Sequence, residues 1–161
     1  MAIDLTGDTY QMWTVNVQDM AVMVDPLVDD VWGEGVITRE EVLNCPNIML
    51  GKTPSSQMMS RSRTREYHIA RIAYLMERGW KDTHNEEIMV YSPLDYFQNL
   101  ARLGDDYSPK GIRERQRIRI TDGNHRFVAA VFSGRETLDI EPYGDREFLA
   151  EALNPIVKAS V

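Results

Sequence analysis

Cysteine is nearly absent from this chain of 161 residues, which contains Cys45 alone. A single cysteine cannot form an internal disulfide bond, so the chain lacks the cross-links that usually stabilise small secreted domains. The first residues include Asp4 and no basic segment, which does not fit a secretory signal peptide. No apolar run reaches about 18 residues, so we expect no spanning helix and no membrane partner. Together these absences predict a soluble, cytoplasmic protein.

Positive charge is scarce in the first third of the chain. Residues 1–50 contain Arg39 and no lysine, and the whole chain carries a formal net charge of −7. An acidic protein is poorly suited to non-specific duplex binding, because such binding needs many lysine and arginine contacts with phosphates. Most basic residues occur in two runs, within residues 52–78 and 110–119. The runs are either solvated surfaces or two sources of cations that converge on a phosphate-bearing ligand.

Helix and strand signals alternate along most of the chain. The clearest is a helix over residues 64–79, with Thr64 as N-cap, an apolar stripe at three- and four-residue spacing, and Gly79 at its end. Residues 46–60 are rich in Pro, Ser, Gly and Met and indicate a loop. Short strands are predicted at residues 12–17, 87–91, 117–121 and 137–140. Shorter helices are predicted at residues 20–31, 38–44, 124–134 and 148–153. This mixture predicts an α+β (mixed α/β) fold with helices packed on a small mixed sheet.

A strand, a glycine turn and a helix at residues 117–134 carry the clearest chemical signal. Gly123 permits a sharp turn that residues with a Cβ resist, and Asp122 or Asn124 is the expected cap of the following helix. The first N–H groups of that helix have no internal partner, and its dipole favours negative charge. Arg126 lies in the first turn, where its guanidinium can reach a bound phosphate. The alternative is an ordinary Asp-Gly turn, with an arginine that pairs with a carboxylate.

Two side chains of this segment are candidates for catalysis. His125 offers a donor, an acid or a base near neutral pH. Asp122 is the carboxylate nearest the turn, and it is our first candidate for holding a Mg²⁺ ion that a nucleotide carries. The alternative carboxylates are the pairs Asp29–Asp30 and Asp105–Asp106.

Histidine spacing gives no support for a dedicated metal site. His68, His84 and His125 fit no compact ligand motif, so we predict no metal bound by the protein alone. His68 lies at the start of the clearest helix, where a histidine is more often a surface or capping residue. We therefore expect it on the surface.

The run Asp122-Gly123-Asn124-His125-Arg126-Phe127, followed by Ala129-Ala130 and Gly134, resembles the GxxR turn-and-helix motif of the ParB/sulfiredoxin superfamily. The upstream order is also similar, because a loop with Arg61 and Arg63 precedes a helix that ends at Gly79 and a short strand. The resemblance covers roughly residues 57–145. The length of the chain predicts a single domain over residues 1–161. The resemblance divides it into a ParB/sulfiredoxin-like core at 57–145, an insertion at 92–115 and an N-terminal extension at 1–56.

This resemblance implies nucleotide binding at the turn. ParB domains bind and hydrolyse CTP, sulfiredoxins use ATP and the related free serine kinases use ADP, so the expected ligand is ATP, ADP or CTP with Mg²⁺. The implied nucleotide- and phosphate-binding residues are Gly123, Asn124, His125 and Arg126, with Arg61 or Arg63 adding a second cation. Asn124 stands where sulfiredoxins have their cysteine, so we do not expect sulfinic-acid reduction.

The leading hypothesis is a small nucleotide-dependent kinase or NTP hydrolase. One alternative is a non-catalytic regulatory module that binds nucleotide, DNA or a protein, and another is a ParB-like nuclease. A small-molecule or nucleic-acid substrate and a homodimer both stay open. We expect the insertion at 92–115 to form a flap or a substrate-specific wall. A compact acidic chain of this kind would suit a phage protein.

Overall fold

The computed structural model describes residues 12–24, 32–79, 88–91 and 118–158. Predictions for His84, for both alternative acidic pairs and for the insertion at 92–115 lie outside the described residues. The chain forms two compact units. The sheet unit comprises Met1–Val24, Glu87–Asp122 and Glu136–Val161, and the helical unit comprises Asp25–Glu86 and Gly123–Arg135. The fold is α+β, as the alternation of helix and strand signals predicted.

The sheet unit contains a five-stranded sheet in the order β3–β2–β4–β1–β5. The strands are β1 (Met12–Asn16), β2 (Ile88–Tyr91), β3 (Arg119–Asp122), β4 (Thr137–Tyr143) and β5 (Ile156–Lys158). β2 runs parallel to β4 and the other neighbours are antiparallel, so the sheet is mixed. The sequence-based division placed β1 in an N-terminal extension, yet this strand pairs with β4 and β5 inside the sheet.

Alternating apolar residues build the buried face of this sheet. Trp13 and Val15 of β1 are buried and lie opposite Ile140 and Leu138 of β4. Successive strand side chains point to opposite faces, so the same pattern leaves the intervening residues partly exposed. Two helices contribute further to this unit, α1 (Val17–Val24) directly after β1 and α5 (Arg146–Leu153) after β4.

The described residues of the helical unit form three helices and three short 3₁₀ turns. The helices are α2 (Arg39–Leu43), α3 (Arg65–Arg78) and α4 (Asn124–Phe132). The 3₁₀ turns are Ile48–Gly51, Ser55–Gln57 and Ser60–Ser62. The first two lie within the segment 46–60 that composition predicted as a loop, and the third begins at its last residue. The buried core consists of Ile37, Val42, Ile72, Ala73, Leu75, Val128, Ala129 and Phe132. The apolar stripe of α3 therefore packs against α4, which fixes the N-terminal turn of α4 beside α3.

The ends of α3 follow the local sequence. Thr64 is the N-cap and its side chain accepts from the Tyr67 amide at 3.2 Å, while Gly79 ends the helix with φ of 71°. The predicted helix over residues 64–79 is thereby confirmed. No helix within the described ranges is long and apolar enough to cross a membrane.

The first 3₁₀ turn, Ile48–Gly51, packs directly against α3 and is hydrogen-bonded to it. Gly51 lies so close to the helix that a Cβ would overlap the carbonyl of Ala70 and the amide nitrogen of Arg71. The Arg71 guanidinium donates from Nη1 to the carbonyls of Gly51 at 2.8 Å and Lys52 at 3.2 Å. The loop is thus held against the face of α3 that carries Arg71.

Candidate functional site

The turn before α4 has the backbone conformation that glycine favours. Gly123 has φ of 98° and ψ of 20°, in the left-handed region, as the Asp-Gly turn predicted. Gly123 is itself the N-cap, and its carbonyl accepts the Phe127 N–H at 2.9 Å. The prediction that Asp122 or Asn124 occupies the cap position is wrong. Asn124 is already the first residue of the helix, because the chain reverses one residue earlier, at glycine.

Two buried histidines meet between α3 and α4. His68 Nδ1 lies 2.8 Å from His125 Nε2, and the two side chains are 3% and 9% exposed. The expectation of a surface or capping His68 is wrong. Its position on α3 faces the first turn of α4, where burial and the bond to His125 replace contact with water.

Aromatic rings enclose this histidine pair. The Trp32 ring stacks on His68 at 4.7 Å and on His125 at 4.5 Å between centroids, with interplanar angles of 16° and 18°. Tyr67 meets both imidazoles edge-on, and its hydroxyl donates to the Thr53 carbonyl at 2.7 Å. Stacking and edge contacts of this kind restrict ring orientation. The imidazoles are therefore held in defined positions rather than exchanging with solvent.

Three arginines affect the protonation of His125, and one of them, Arg63, also affects that of His68. The pKa of His125 is lowered from 6.5 to about 3, chiefly by burial and then by electrostatic interaction with His68, Arg71, Arg126 and Arg63, in that order. Burial and then Arg63 lower the pKa of His68. Both imidazoles are therefore neutral near pH 7. A neutral His125 does not suit the role of an acid that must be protonated at that pH.

The two buried arginines also act on each other. Arg71 is 5% exposed and Arg126 is 7% exposed. Burial lowers the pKa of Arg71 first, Tyr67 opposes this shift, and Arg126 adds to it. Like charges held close together under low solvent exposure repel each other, which is why each disfavours the charge of the other.

The structure brings together some of the predicted site residues. Gly123, His125 and Arg126 share the first turn of α4, and Arg63, just before the N-cap of α3, lowers the pKa of both histidines. Arg61 and Arg63 were equal alternatives from sequence. Arg61 is exposed, with Nη2 3.7 Å from the Met59 sulfur, and it is not among the groups that shift the pKa of either histidine.

The other two predicted residues differ in their surroundings. Asn124 is half-buried as the first residue of α4. Asp122 is an exposed residue at the end of β3 and belongs to the sheet unit. Its proposed part in catalysis stays a prediction.

Sequence reasoning missed the contribution of α3 and of Trp32. His68 and Arg71 are three residues apart and so lie on one helical face, next to an apolar stripe. That spacing was available as a signal. Nothing in the sequence indicated that Trp32, far away along the chain, would cover both imidazoles.

The described residues contain no group of three or more His, Cys, Asp or Glu side chains that could hold a metal ion. The cluster is instead a set of N–H donors and positive charges, which suits an anion. Comparisons with protein-family models, curated proteins and solved structures found no match. The ParB/sulfiredoxin resemblance therefore rests on the motif residues alone.

Proposed function

We propose that the helical unit binds a phosphate-bearing ligand, and specifically a nucleotide, at the N-terminal turn of α4. One observation carries the proposal: Arg71 and Arg126 are buried on the two helices that bring His68 and His125 within 2.8 Å of each other beside that turn, and Arg63 lowers the pKa of both imidazoles. The proposal keeps the nucleotide that the sequence motif implied. It replaces Arg61 by Arg63 and adds Arg71.

Charge supports an anionic ligand at this place. Positive charges that repel one another cost free energy when they are buried together, and a bound anion lowers that cost. Guanidinium groups also match phosphate oxygens in shape, because two N–H donors can point to one anion. A ligand with two or more negative charges gains most from three arginines.

The backbone adds a second source of N–H donors. α4 begins at Asn124 after a glycine with left-handed φ, so no Cβ stands at the N-cap position. The first N–H groups of a helix lack intrahelical acceptors, and the helix dipole favours an anion there. A phosphate at this turn would receive these N–H groups on one side and the arginines on the other.

Two activities are compatible with such a site. The leading one is phosphoryl transfer or nucleotide hydrolysis, for which positioning and charge supply most of the catalysis. The second is a regulatory module that holds the nucleotide without turnover, and the low pKa of His125 favours it, because that imidazole does not supply a proton near pH 7. Release of product in the presence of Mg²⁺ separates the two, and nicking of DNA would favour the nuclease alternative.

The test of binding is thermal stabilisation by ATP, ADP, CTP and GTP with Mg²⁺. A ligand at about 100 times its dissociation constant adds roughly 2.7 kcal/mol to the free energy of unfolding. We expect one nucleotide to raise the melting temperature of the wild type, and Arg126→Ala to lose that shift. Because Arg126 is buried, Arg126→Lys provides a second variant that keeps the charge and loses the forked donor geometry.

Two exposed arginines outside the proposed site, Arg61 and Arg78, provide controls. Arg63→Ala should weaken the nucleotide-induced rise in melting temperature, whereas Arg61→Ala, two residues earlier, should leave most of it. Arg78→Ala removes a charge that lies next to Glu77 at the far end of α3, and its shift should equal that of the wild type. A folded wild type that no nucleotide stabilises, or a shift that survives in Arg126→Ala, would refute the proposal.

A further inference from the structure

The buried histidine pair is more than a structural contact if an anion binds beside it. We infer that binding of a doubly charged anion at the arginine cluster takes up one proton onto the His68–His125 pair. Anion binding at this site then strengthens as the pH falls. The inference rests on the proposed anion site and adds to it a form of regulation, by proton uptake.

The geometry of the pair allows one added proton. Two neutral imidazoles have four ring nitrogens and two protons. The 2.8 Å contact between His68 Nδ1 and His125 Nε2 uses one proton in an N–H···N bond, and the second proton occupies one of the two outer nitrogens. The remaining outer nitrogen accepts one more proton without breaking the bond. A fourth proton would put two donors against each other and break it.

The charges that act on the pair come from every element around it. Among the described residues, α3 contributes Arg71, the loop before α3 contributes Arg63 and α4 contributes Arg126, while Trp32 and the neutral Tyr67 cover the rings without charge. None of the carboxylates in the described ranges is among the groups that shift His68 or His125. Glu41 pairs with Arg65 at 2.7 Å and Glu77 with Arg78 at 3.5 Å.

Among the charged groups of the described residues, those that shift the pKa of the imidazoles are cations, and a bound dianion reverses part of their effect. An anion that makes protonation of the histidine pair easier is itself bound more tightly once the pair is protonated, because the coupling between two ligands is reciprocal. Here the two ligands are the anion and the proton. The arginines thus both hold the anion and keep the empty site free of protons.

Sulfate is a suitable probe, since it stays a dianion throughout the range in which histidines titrate. Calorimetry in two buffers of different ionisation enthalpy measures both its affinity and the protons taken up. Between about pH 7.5 and about pH 5.5 we expect tighter binding, by up to about tenfold for each pH unit when one proton is taken up. Separately, His68→Gln and His125→Gln should bind sulfate with little pH dependence and no proton uptake.

Variants of the buried pair are first checked for folding by circular dichroism. The wild-type measurement stands by itself if both of them fail this check. His84→Gln, which removes the remaining histidine of the chain, should keep the wild-type dependence of sulfate affinity on pH. Loss of that pH dependence in His84→Gln, and not in the variants of the pair, would overturn the inference.

The two proposals can fail separately. Sulfate binding that requires Arg126 but does not change with pH would overturn proton uptake and leave the anion site standing. A protein that nucleotides stabilise but that binds no sulfate at either pH would also overturn proton uptake alone. No stabilisation by nucleotide and no sulfate binding would overturn both.

Discussion

His125 shows how strongly the surroundings of one residue change its chemistry. An isolated histidine titrates near the middle of the physiological range. Here burial is the largest influence, followed by His68 and the nearby arginines, and the pKa falls from 6.5 to about 3. The residue that the sequence motif offered as an acid or base is neutral near pH 7. At the residue scale, its measurable effect is therefore on stability.

Acid should destabilise the protein through this residue. The folded pKa is lower than the unfolded one, so below about pH 6.5 the unfolded chain binds more protons. The contribution of neutral His125 to the free energy of unfolding is fully present above about pH 6.5 and is lost as the pH falls towards 3. We expect the wild-type free energy of unfolding to fall more steeply than that of His125→Gln, by roughly 1 kcal/mol per pH unit. Urea unfolding between about pH 7.5 and about pH 4.5 measures both slopes.

The carboxylates that also titrate in this range are the same in both proteins, so the difference between slopes isolates the imidazole. His84→Gln serves as the control and should follow the wild type. Equal slopes in wild type and His125→Gln would show that the imidazole is not protected from protonation.

Local chemistry predicted some individual residues and not others. Gly123 could be assigned to a left-handed turn because the requirement lies in its own backbone. The burial of His68 could not be assigned, because it depends on which helix packs against α3. Arg63 and Arg61 are equivalent in sequence, and only the folded position of the loop distinguishes them.

At the scale of elements, the ends of α2 and α3 and the strands β1 to β4 were predictable, and the edge strand β5 was not. Thr38 and Thr64 both cap helices, and Thr38 forms a capping box with Glu41, because these bonds join residues three apart. β5 covers only Ile156–Lys158 directly after a proline, and it was missed because its existence depends on pairing with β1. A loop was predicted at residues 46–60, but its attachment to α3 was not.

That attachment gives a prediction for Gly51→Ala. The new Cβ would overlap backbone atoms of Ala70 and Arg71, and a helix backbone cannot rotate away as a side chain can. Either the 3₁₀ turn or α3 must shift, which typically costs about 1–3 kcal/mol for overpacking. The shift also lengthens the bonds from Arg71 to the loop carbonyls. Urea unfolding measures the loss.

Lys52→Ala is the matched control for this change. Lys52 is the exposed neighbour of Gly51, and only its backbone carbonyl accepts from Arg71. We expect its stability to stay within about 0.5 kcal/mol of the wild type, as for most surface substitutions. A Gly51→Ala protein as stable as Lys52→Ala would contradict the close approach of loop and helix.

At the scale of the whole molecule, the alternation of signals predicted the fold class but not the topology. The order of strands depends on pairings between distant segments, and periodicity within one segment carries no information about them. β4 is central to this order because it pairs with β1 on one side and β2 on the other. Both units are also assembled from separate stretches of chain.

Truncation tests the importance of β4. A chain of residues 1–135 lacks β4 and β5, so β1 and the β2–β3 pair lose the strand that joins them. We expect it to lose the part of the urea unfolding transition that belongs to the sheet unit, followed by circular dichroism and tryptophan fluorescence, because the helical unit keeps all of its residues. A chain of residues 1–155 loses only the edge strand β5 and should keep a cooperative, less stable transition. An unfolding transition of the shorter chain as large as that of the full chain would contradict the role of β4.

The pairing of β1 with β4 has a consequence for how the protein folds during synthesis. The Thr14 hydroxyl donates to the Asp139 carboxylate at 2.7 Å across 125 residues of sequence. On the ribosome, β1 leaves the exit tunnel long before its partner strand has been translated. Until then its apolar residues Trp13 and Val15 lack the neighbours that bury them in the folded protein. An unpaired strand with exposed apolar residues can associate with other chains. Slow translation of the intervening residues would lengthen this interval, so we expect yield to depend on chaperones and on growth temperature.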